Sequence, residues 1–251
     1  MNHQLWFVDS RDRVMGSNED FYIEPRSRLP DVSSVGVREI EIPFSWNVFL
    51  TTHKINFKEG AGAQLTATLT AGNYTSTELI AHLKAIMDAA VGAGLTYTWA
   101  YNNITGLLTC SATGIFTFLW ASGTNAGNGL DQLLGYTEAG GTASDTTSAT
   151  PHIATYKANF SGENALYLEV TPLSSGNSKQ MSIINNLPRP VLCKIPIDVS
   201  PGGIIIYNPS EMYVAMTRAD IDRLRFRLVD RLNTSINLRG REMSLTLDLN
   251  Y

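Results

Sequence analysis

Apolar and polar residues alternate with a period of two along residues 221–229 and 243–249. Successive side chains of a β-strand point to opposite faces, so this pattern predicts two strands that each bury one face and expose the other. An α-helix, with about 3.6 residues per turn, would spread the same apolar residues around its circumference. The side chains predicted to face inward are Leu224, Phe226, Leu228, Met243, Leu245, Leu247 and Leu249.

Further segments have the composition of β-strands. Residues 166–170, 191–199 and 203–207 are rich in apolar and β-branched residues, and so are residues 35–42. Strict alternation would divide this last segment into two faces, one with Val35, Val37, Glu39 and Glu41 and the other with Arg38, Ile40 and Ile42. Strands at both ends of the chain predict a mainly β fold, a β-sandwich whose first and last strands can pair.

The middle of the chain departs from the β pattern. Thr75 and Glu78 have the spacing of a helix capping box, and apolar residues recur at helical intervals from there to Val91. A β-hairpin is predicted around the turn at residues 102–106, where Gly106 supplies a positive φ. Leucines at residues 130–134 predict a short second helix.

These patterns predict one domain with an insertion. Residues 1–60 and 151–251 form the sandwich, and residues 61–150 form a strand-helix-hairpin elaboration with one amphipathic helix, a β-hairpin and a short helix. A chain of 251 residues is long enough to bury a sizeable core, and 43% hydrophobic with 17% charged residues is the composition of a folded protein.

Charge and cysteine content limit the function classes. A net charge of −4 gives no general attraction to nucleic acid.

The first residues lack the basic and apolar segments of a secretory signal, which predicts cytosolic synthesis, and the apolar runs are too short for a transmembrane segment. Cys110 and Cys193 do not have the spacing of metal ligands and are predicted to be buried thiols, although a disulfide stays open.

The sequence has no recognisable catalytic or metal-binding motif. The four histidines, His3, His53, His82 and His152, are dispersed, and neither a nucleophile elbow nor a phosphate-binding loop is present. Two pairs of carboxylates, Asp9 with Asp12 and Glu19 with Asp20, are interpreted as solvated charges, because nothing indicates that they converge. The predictions are therefore no catalytic residue, no metal, no cofactor and no enzymatic activity.

Arginines form the most prominent cationic feature of the sequence. On a strand, alternate members of this stripe share one face. The first interpretation is a solvated or salt-bridged sheet face, and the second is a contact with another subunit. The residues of this possible subunit contact are Arg218, Arg223, Arg225, Arg227 and Arg231.

Aromatic residues admit two interpretations as well. Flat rings suit the faces of sugars, so Trp46, Phe49, Trp99 and Trp120 could form a glycan platform. Packing in the core or in an interface is favoured, because all four occur in apolar surroundings.

Several stretches together resemble the small jelly-roll capsid proteins, above all the penton proteins, of virophages, polinton-like viruses and nucleocytoplasmic large DNA viruses. The resemblance covers most of the chain in the same order, although the charged turn at residues 233–241 departs from the expected Gly- and Asn-rich form. The stretches are VDSRDRVMGSNEDFYIE from Val8, GNYTSTELIAHLKAIMDA from Gly72, LLGYTE from Leu133, IPIDVSPGGIIIYNP from Ile195 and IDRLRFRLVDRLNTSINLRGREMSLTLDL from Ile221.

The resemblance implies a single jelly-roll β-sandwich with a structural role in the icosahedral capsid of a double-stranded DNA virus. It implies a virion protein that forms a homopentamer at fivefold vertices and contacts a major capsid protein with two jelly rolls. One jelly roll of this size fits a five-subunit ring, and cyclic symmetry would repeat one heterologous interface until the ring closes.

Two other functions remain open in the sequence. One is a minor capsid (cement) protein beneath or between capsomers. The other is a receptor- or glycan-binding β-sandwich module, for which the loops at residues 123–129 and 140–150 are candidates on a rigid scaffold.

Overall fold

The computed structural model describes residues 3–27, 29–172, 182–184, 187–209 and 213–251. Strands make up 42% of the chain and helices 9%, which confirms the predicted mainly β fold. The chain divides into two compact units. Unit 1 is Met1–Trp46 together with Glu163–Tyr251, and unit 2 is Asn47–Gly162.

The strands and helices are numbered in chain order. The first half of the chain contains β1 (His3–Asp9), a 3₁₀ turn (Ser10–Asp12), β2 (Met15–Gly16), β3 (Asp20–Ile23), β4 (Leu29–Pro43), β5 (Lys54–Glu59), β6 (Leu65–Thr68), α1 (Ser76–Asp88), β7 (Tyr97–Asn102), β8 (Leu107–Ala112) and β9 (Phe116–Phe118). The second half contains α2 (Leu130–Leu133), β10 (His152–Ile153), β11 (Ala165–Pro172), β12 (Ser182–Ile184), β13 (Leu187–Arg189), β14 (Val191–Pro196), β15 (Ile204–Tyr207), β16 (Tyr213–Ile221), β17 (Leu224–Val229) and β18 (Ser244–Asn250).

In its described part, unit 1 contains two antiparallel five-stranded sheets and the hairpin β12–β13. Sheet 1 has the order β1–β18–β4–β15, and β16 pairs with another stretch of β4. Sheet 2 has the order β14–β11–β17–β3–β2. Strands β1 and β18 are antiparallel neighbours, with Trp6 opposite Leu247 and Val8 opposite Leu245. The last strand of the chain therefore lies inside sheet 1, between β1 and β4.

Alternate residues of both sheets are buried in the core of unit 1. All seven side chains that the alternation places inward, three in β17 and four in or next to β18, are buried. Phe226 packs against Phe21 of the neighbouring strand β3, with 5.5 Å between the ring centroids. Full burial of one Leu or Phe side chain stabilises a fold by about 1.5–3 kcal/mol, so this periodicity contributes a large share of the stability.

The strict alternation predicted for β4 is wrong at one residue. Thr246 of β18 lies opposite Glu39, whereas the next residue, Leu247, lies opposite Val37, so Arg38 has no partner in β18. Such a β-bulge inserts one extra residue and resets the phase of the strand. Ile40 is therefore buried on the same face as Val37 and not on the opposite face. The described inner face of this part of β4 consists of Val35, Val37, Ile40 and Ile42.

Unit 2 contains two three-stranded sheets and both helices in its described residues. The sheets have the orders β10–β8–β7 and β6–β5–β9. The structure has the predicted hairpin, β7–β8, and Gly106 in its turn has a φ of 75°. It also has the amphipathic helix α1, whose capping box is complete because Thr75 and Glu78 bond each other's backbone N–H groups. The division into a sandwich of residues 1–60 and 151–251 and an insertion of residues 61–150 stays a prediction.

Glu59, at the end of β5, anchors the segment that follows α1. Its carboxylate accepts hydrogen bonds from the backbone N–H groups of Gly94, at 2.9 Å, and Leu95, at 3.0 Å, and from the hydroxyl of Tyr97, at 2.9 Å. Partial burial by itself would raise the pKa of this carboxyl, but the three hydrogen bonds outweigh it and hold the pKa below its ordinary value of 4.5. The ionised form therefore stabilises unit 2.

We expect Glu59→Gln to reduce the acid sensitivity of folding. A carboxyl whose pKa is lowered by folding stabilises the protein above its unfolded-state pKa, and that contribution is lost as the pH falls through the folded-state pKa. Thermal unfolding at about pH 7 and about pH 3.5 measures the effect: the variant loses less stability on acidification than the unchanged protein. Glu138→Gln, at an exposed position of the same unit, is the control. Equal acid sensitivity in all three proteins would contradict the assignment.

Candidate functional site

The histidines do not cluster, and His53, His82 and His152 each form a hydrogen bond with a backbone group. His53 accepts a hydrogen bond from the backbone N–H of Leu50, and His82 accepts one from that of Thr70. Burial lowers the pKa of both rings. His152 is bonded through Nε2 to the carbonyl of Phe116. Among the residues described by the structure, no group of three His, Cys, Asp or Glu side chains is arranged to hold a metal ion.

The predicted buried thiols are confirmed. Cys110 and Cys193 are both free and buried, which resolves the disulfide left open by the sequence. Burial raises the pKa of both thiols, that of Cys193 to about 12. Because the thiolate is the nucleophilic form, neither side chain is arranged for nucleophilic chemistry.

The carboxylates near the N-terminus pair with arginines. Asp9 accepts hydrogen bonds from Arg11, at 2.6 Å from Nη2, and this pairing lowers the pKa of Asp9. Asp20 binds Arg225. One carboxylate of each predicted pair, Asp9 and Asp20, is therefore bound to an arginine.

All four aromatic residues considered for sugar binding are buried, so packing is the confirmed interpretation. Trp46 stacks on Phe44 with 4.1 Å between the ring centroids, and Trp120 stacks on Phe118 at 5.0 Å. Their flat faces are covered by protein, so these rings are not available as a glycan platform.

The loop at residues 140–150 is tied to unit 2 by hydrogen bonds. The carboxylate of Asp145 accepts bonds from the backbone N–H groups of Ala121 and Ser122, and Thr146 Oγ1 accepts one from that of Phe118. The sequence, with its Gly, Ser and Thr content, predicts a mobile loop here. Asp145 and Thr146 supply acceptors that the composition does not reveal, and the mobility of the loop stays a prediction.

Ion pairs cover the outer face of sheet 2, which we call the arginine face. Arg225 binds Asp20 in a bidentate pair, with 2.8 Å from Nε to Oδ1 and 2.7 Å from Nη2 to Oδ2. This pairing raises the pKa of Arg225. The guanidinium also lies 5.4 Å from the ring centroid of Tyr22. Arg223 donates to Glu24 over 2.6 Å, from Nε to Oε1. Alternate arginines thus share one face, as the stripe predicts.

A buried ion pair supports this face. Arg189 and Glu169 are only 5% and 6% exposed, and the Nε to Oε1 distance is 2.6 Å. Glu169 also accepts a bond from Nη1 of Arg227, at 3.3 Å, and Arg227 donates to the side chain of Asn233 at 2.8 Å. The sequence carries no local signal for Arg189, because its partner lies twenty residues away in the chain on a different strand.

Two members of the stripe lie elsewhere. Arg231 is exposed in the turn after β17, and Arg218 belongs to β16, with its side chain outside the described part of the chain. In the free chain, Arg223, Arg225 and Arg227 form ion pairs, as the first interpretation of the stripe predicts. A subunit contact through the five arginines stays a prediction.

The outer face of sheet 1, which we call the acidic face, carries carboxylates between exposed apolar residues. One row of residues across the strands consists of Phe7 on β1, Thr246 on β18 and Glu39 on β4. A second row consists of Ser244 on β18, Glu41 on β4 and Ile206 on β15. Phe7 is 74% exposed, and Ile206 is 58% exposed. This surface is not among the sites predicted from the sequence, although the alternation of Glu39 and Glu41 with Ile40 and Ile42 is a signal for it.

Comparison with solved structures finds matches to this chain. A crystal structure of the selenomethionine-labelled mavirus penton protein superimposes on this chain with a TM-score of 0.53 and 11% sequence identity, covering 99% of each chain. The chain has a penton-like jelly-roll fold. No family model matches the sequence, and no curated protein matches it. The penton-like fold confirms the predicted fold class, and the low identity carries over no individual residue.

Helices that could cross a membrane are absent from the described residues. Helix α1, the longer of the two helices described, has 13 residues, fewer than the about 20 that a bilayer requires.

Proposed function

We propose that this chain is a capsid protein that forms a homopentamer at the fivefold vertices of an icosahedral double-stranded DNA virus. The observation that carries the proposal is the match to the mavirus penton protein over 99% of both chains, because the likeness extends over the whole fold and not over a fragment of it. The major capsid protein with two jelly rolls is the proposed neighbour in the virion.

The distribution of polar groups supports a role in assembly. In the described part of the chain, charged side chains concentrate on the outer faces of unit 1, and its interior is apolar except for a few buried polar groups. Rigid sandwiches with such faces associate side by side, and cyclic repetition of one heterologous contact closes a ring.

Mass photometry of the purified full chain, followed by electron microscopy, tests the proposal. We expect particles of five times the 27.5 kDa chain mass and fivefold rings. A chain that stays monomeric at high concentration and is absent from purified virions would refute the proposal. Location beneath the capsomers without a ring would favour the minor capsid alternative, and glycan binding by a monomer would favour the receptor-binding alternative.

A further inference from the structure

The acidic face has an excess of negative charge. Two shallow grooves in this face are lined by five carboxylates and only two guanidiniums. Arg11 is already paired with Asp9. In the described part of the chain, neither Glu39 nor Glu41 has a basic partner within ion-pair distance, and Glu41 accepts a hydrogen bond from the hydroxyl of Ser244. The seven charged groups are Asp9, Asp12, Glu39, Glu41, Glu242, Arg11 and Arg241.

Exposed apolar side chains flank these carboxylates. Phe7 lies on β1 at one edge, and Ile204 and Ile206, each 58% exposed, lie on β15 at the other. Exposed apolar side chains that adjoin polar ones in one patch are typical of surfaces that bind another protein. A carboxylate-rich centre with apolar margins fits a protein partner with a basic surface, and it repels nucleic acid.

The arginine face has the opposite charge. Five cationic side chains, of Arg189, Lys194, Arg223, Arg225 and Arg227, face three carboxylates, those of Asp20, Glu24 and Glu169. A guanidinium has five N–H donors, and the ion pairs of Arg223 and Arg225 use only part of them. Their side chains remain 42% and 39% exposed.

This second face also has an apolar margin. Met15 on β2 is 55% exposed and lies opposite Tyr22 on β3. The two sheets of the sandwich turn their inner faces toward a common core, so the acidic and arginine faces point away from each other. One chain therefore presents complementary surfaces on opposite sides.

We infer that the acidic face of one copy binds the arginine face of the next copy. Spare donors of Arg223 and Arg225 reach the unpaired carboxylates of Glu39 and Glu41, and the apolar margins of the two faces meet at the rim. Such a contact is heterologous, so it repeats from copy to copy, and it closes into a ring when the rotation between successive copies is that of a fivefold axis. The inference rests on the proposed ring and adds which surfaces of the chain build it.

Charge reversal on each face tests the pairing. We expect Glu39→Arg/Glu41→Arg to raise the concentration at which half of the chains form rings by about 100-fold or more, because like charges would then meet across the contact. Lys194→Glu/Arg223→Glu should have the same effect. Both pairs of substitutions replace exposed or half-exposed residues, and thermal unfolding of each variant checks that it folds. The matched controls, Glu138→Arg and Lys157→Glu, reverse exposed charges in unit 2 and should leave assembly unchanged.

Combination of the variants separates this contact from a general charge effect. A chain with all four reversals has a basic face in place of the acidic one and an acidic face in place of the basic one, so we expect its rings to return. An equimolar mixture of the two double variants should form mixed pairs, since each face then meets a complementary one. Normal rings from Glu39→Arg/Glu41→Arg, or no recovery in the fourfold variant, would overturn the face pairing alone. Absence of rings in the unchanged protein would overturn the proposed function and this contact together.

Discussion

Glu169→Gln is expected to lower the free energy of unfolding by about 3–5 kcal/mol, the usual cost of leaving a buried charge without its partner. The variant keeps the guanidinium of Arg189 buried but removes the negative charge of the carboxylate that lies 2.6 Å from its Nε. The amide oxygen of the new side chain can still accept a bond but carries no charge, and the carbonyls of Asp230 and Arg231 lie at 3.4 and 3.5 Å, so the charge of the guanidinium stays uncompensated. Denaturant titration at neutral pH measures the loss.

The double variant Glu169→Leu/Arg189→Met distinguishes a buried charge from lost packing. Replacement of both partners by apolar side chains of similar volume is often neutral or stabilising, so the double variant should be more stable than Glu169→Gln. Glu24→Gln is the surface control, because it removes the exposed pair with Arg223 and should cost about 1 kcal/mol or less. A double variant as unstable as the single one would refute this account.

Deletion of Thr246 from β18 is expected to prevent stable folding of unit 1. One missing residue in this strand moves the residues after it to the opposite face, so Leu247 and Leu249 turn outward while Asp248 turns inward. Exposure of the two leucines alone costs about 3–6 kcal/mol, which is comparable with the whole stability of a typical domain. Circular dichroism and denaturant titration of the deletion variant measure the outcome.

Deletion of Arg38 from β4 is the matched comparison. Arg38 is the extra residue of the bulge, so its removal leaves Val35, Val37 and Ile40 in regular alternation on the inner face. We expect this variant to fold with a much smaller loss of stability. Equal destabilisation by the two deletions would show that the bulge does not set the phase of β4.

Local signals in the sequence predict the local structure of this chain. The capping box of α1 and the turn of the β7–β8 hairpin each depend on residues a few positions apart, and both have their predicted form. The alternation in β17 and β18 also predicts the correct inward-facing side chains, because no bulge interrupts either strand between them. Within β4 the same reasoning fails at Arg38, since a bulge depends on the partner strand and leaves no mark in the composition of its own strand.

The candidate surfaces depend on contacts between distant segments. Arginines at alternate positions of β17 indicate a shared face, but their carboxylate partners come from β3 and β11, and only the strand order of sheet 2 brings them together. The acidic face likewise requires β1, β4 and β15 to be placed around β18. Sequence periodicity predicts which face of a strand each side chain occupies, but it does not predict which strands lie next to each other in the sheet.

The position of β18 has a consequence for biosynthesis. Residues 244–250 are translated after every other strand of sheet 1, yet they supply the strand that both β1 and β4 bind. Until they leave the ribosome, β1 and β4 have unpaired edges where β18 will insert, and sheet 1 stays incomplete. A polypeptide interrupted before residue 244 therefore cannot build the acidic face, so premature termination removes a subunit from the pool that is competent to assemble.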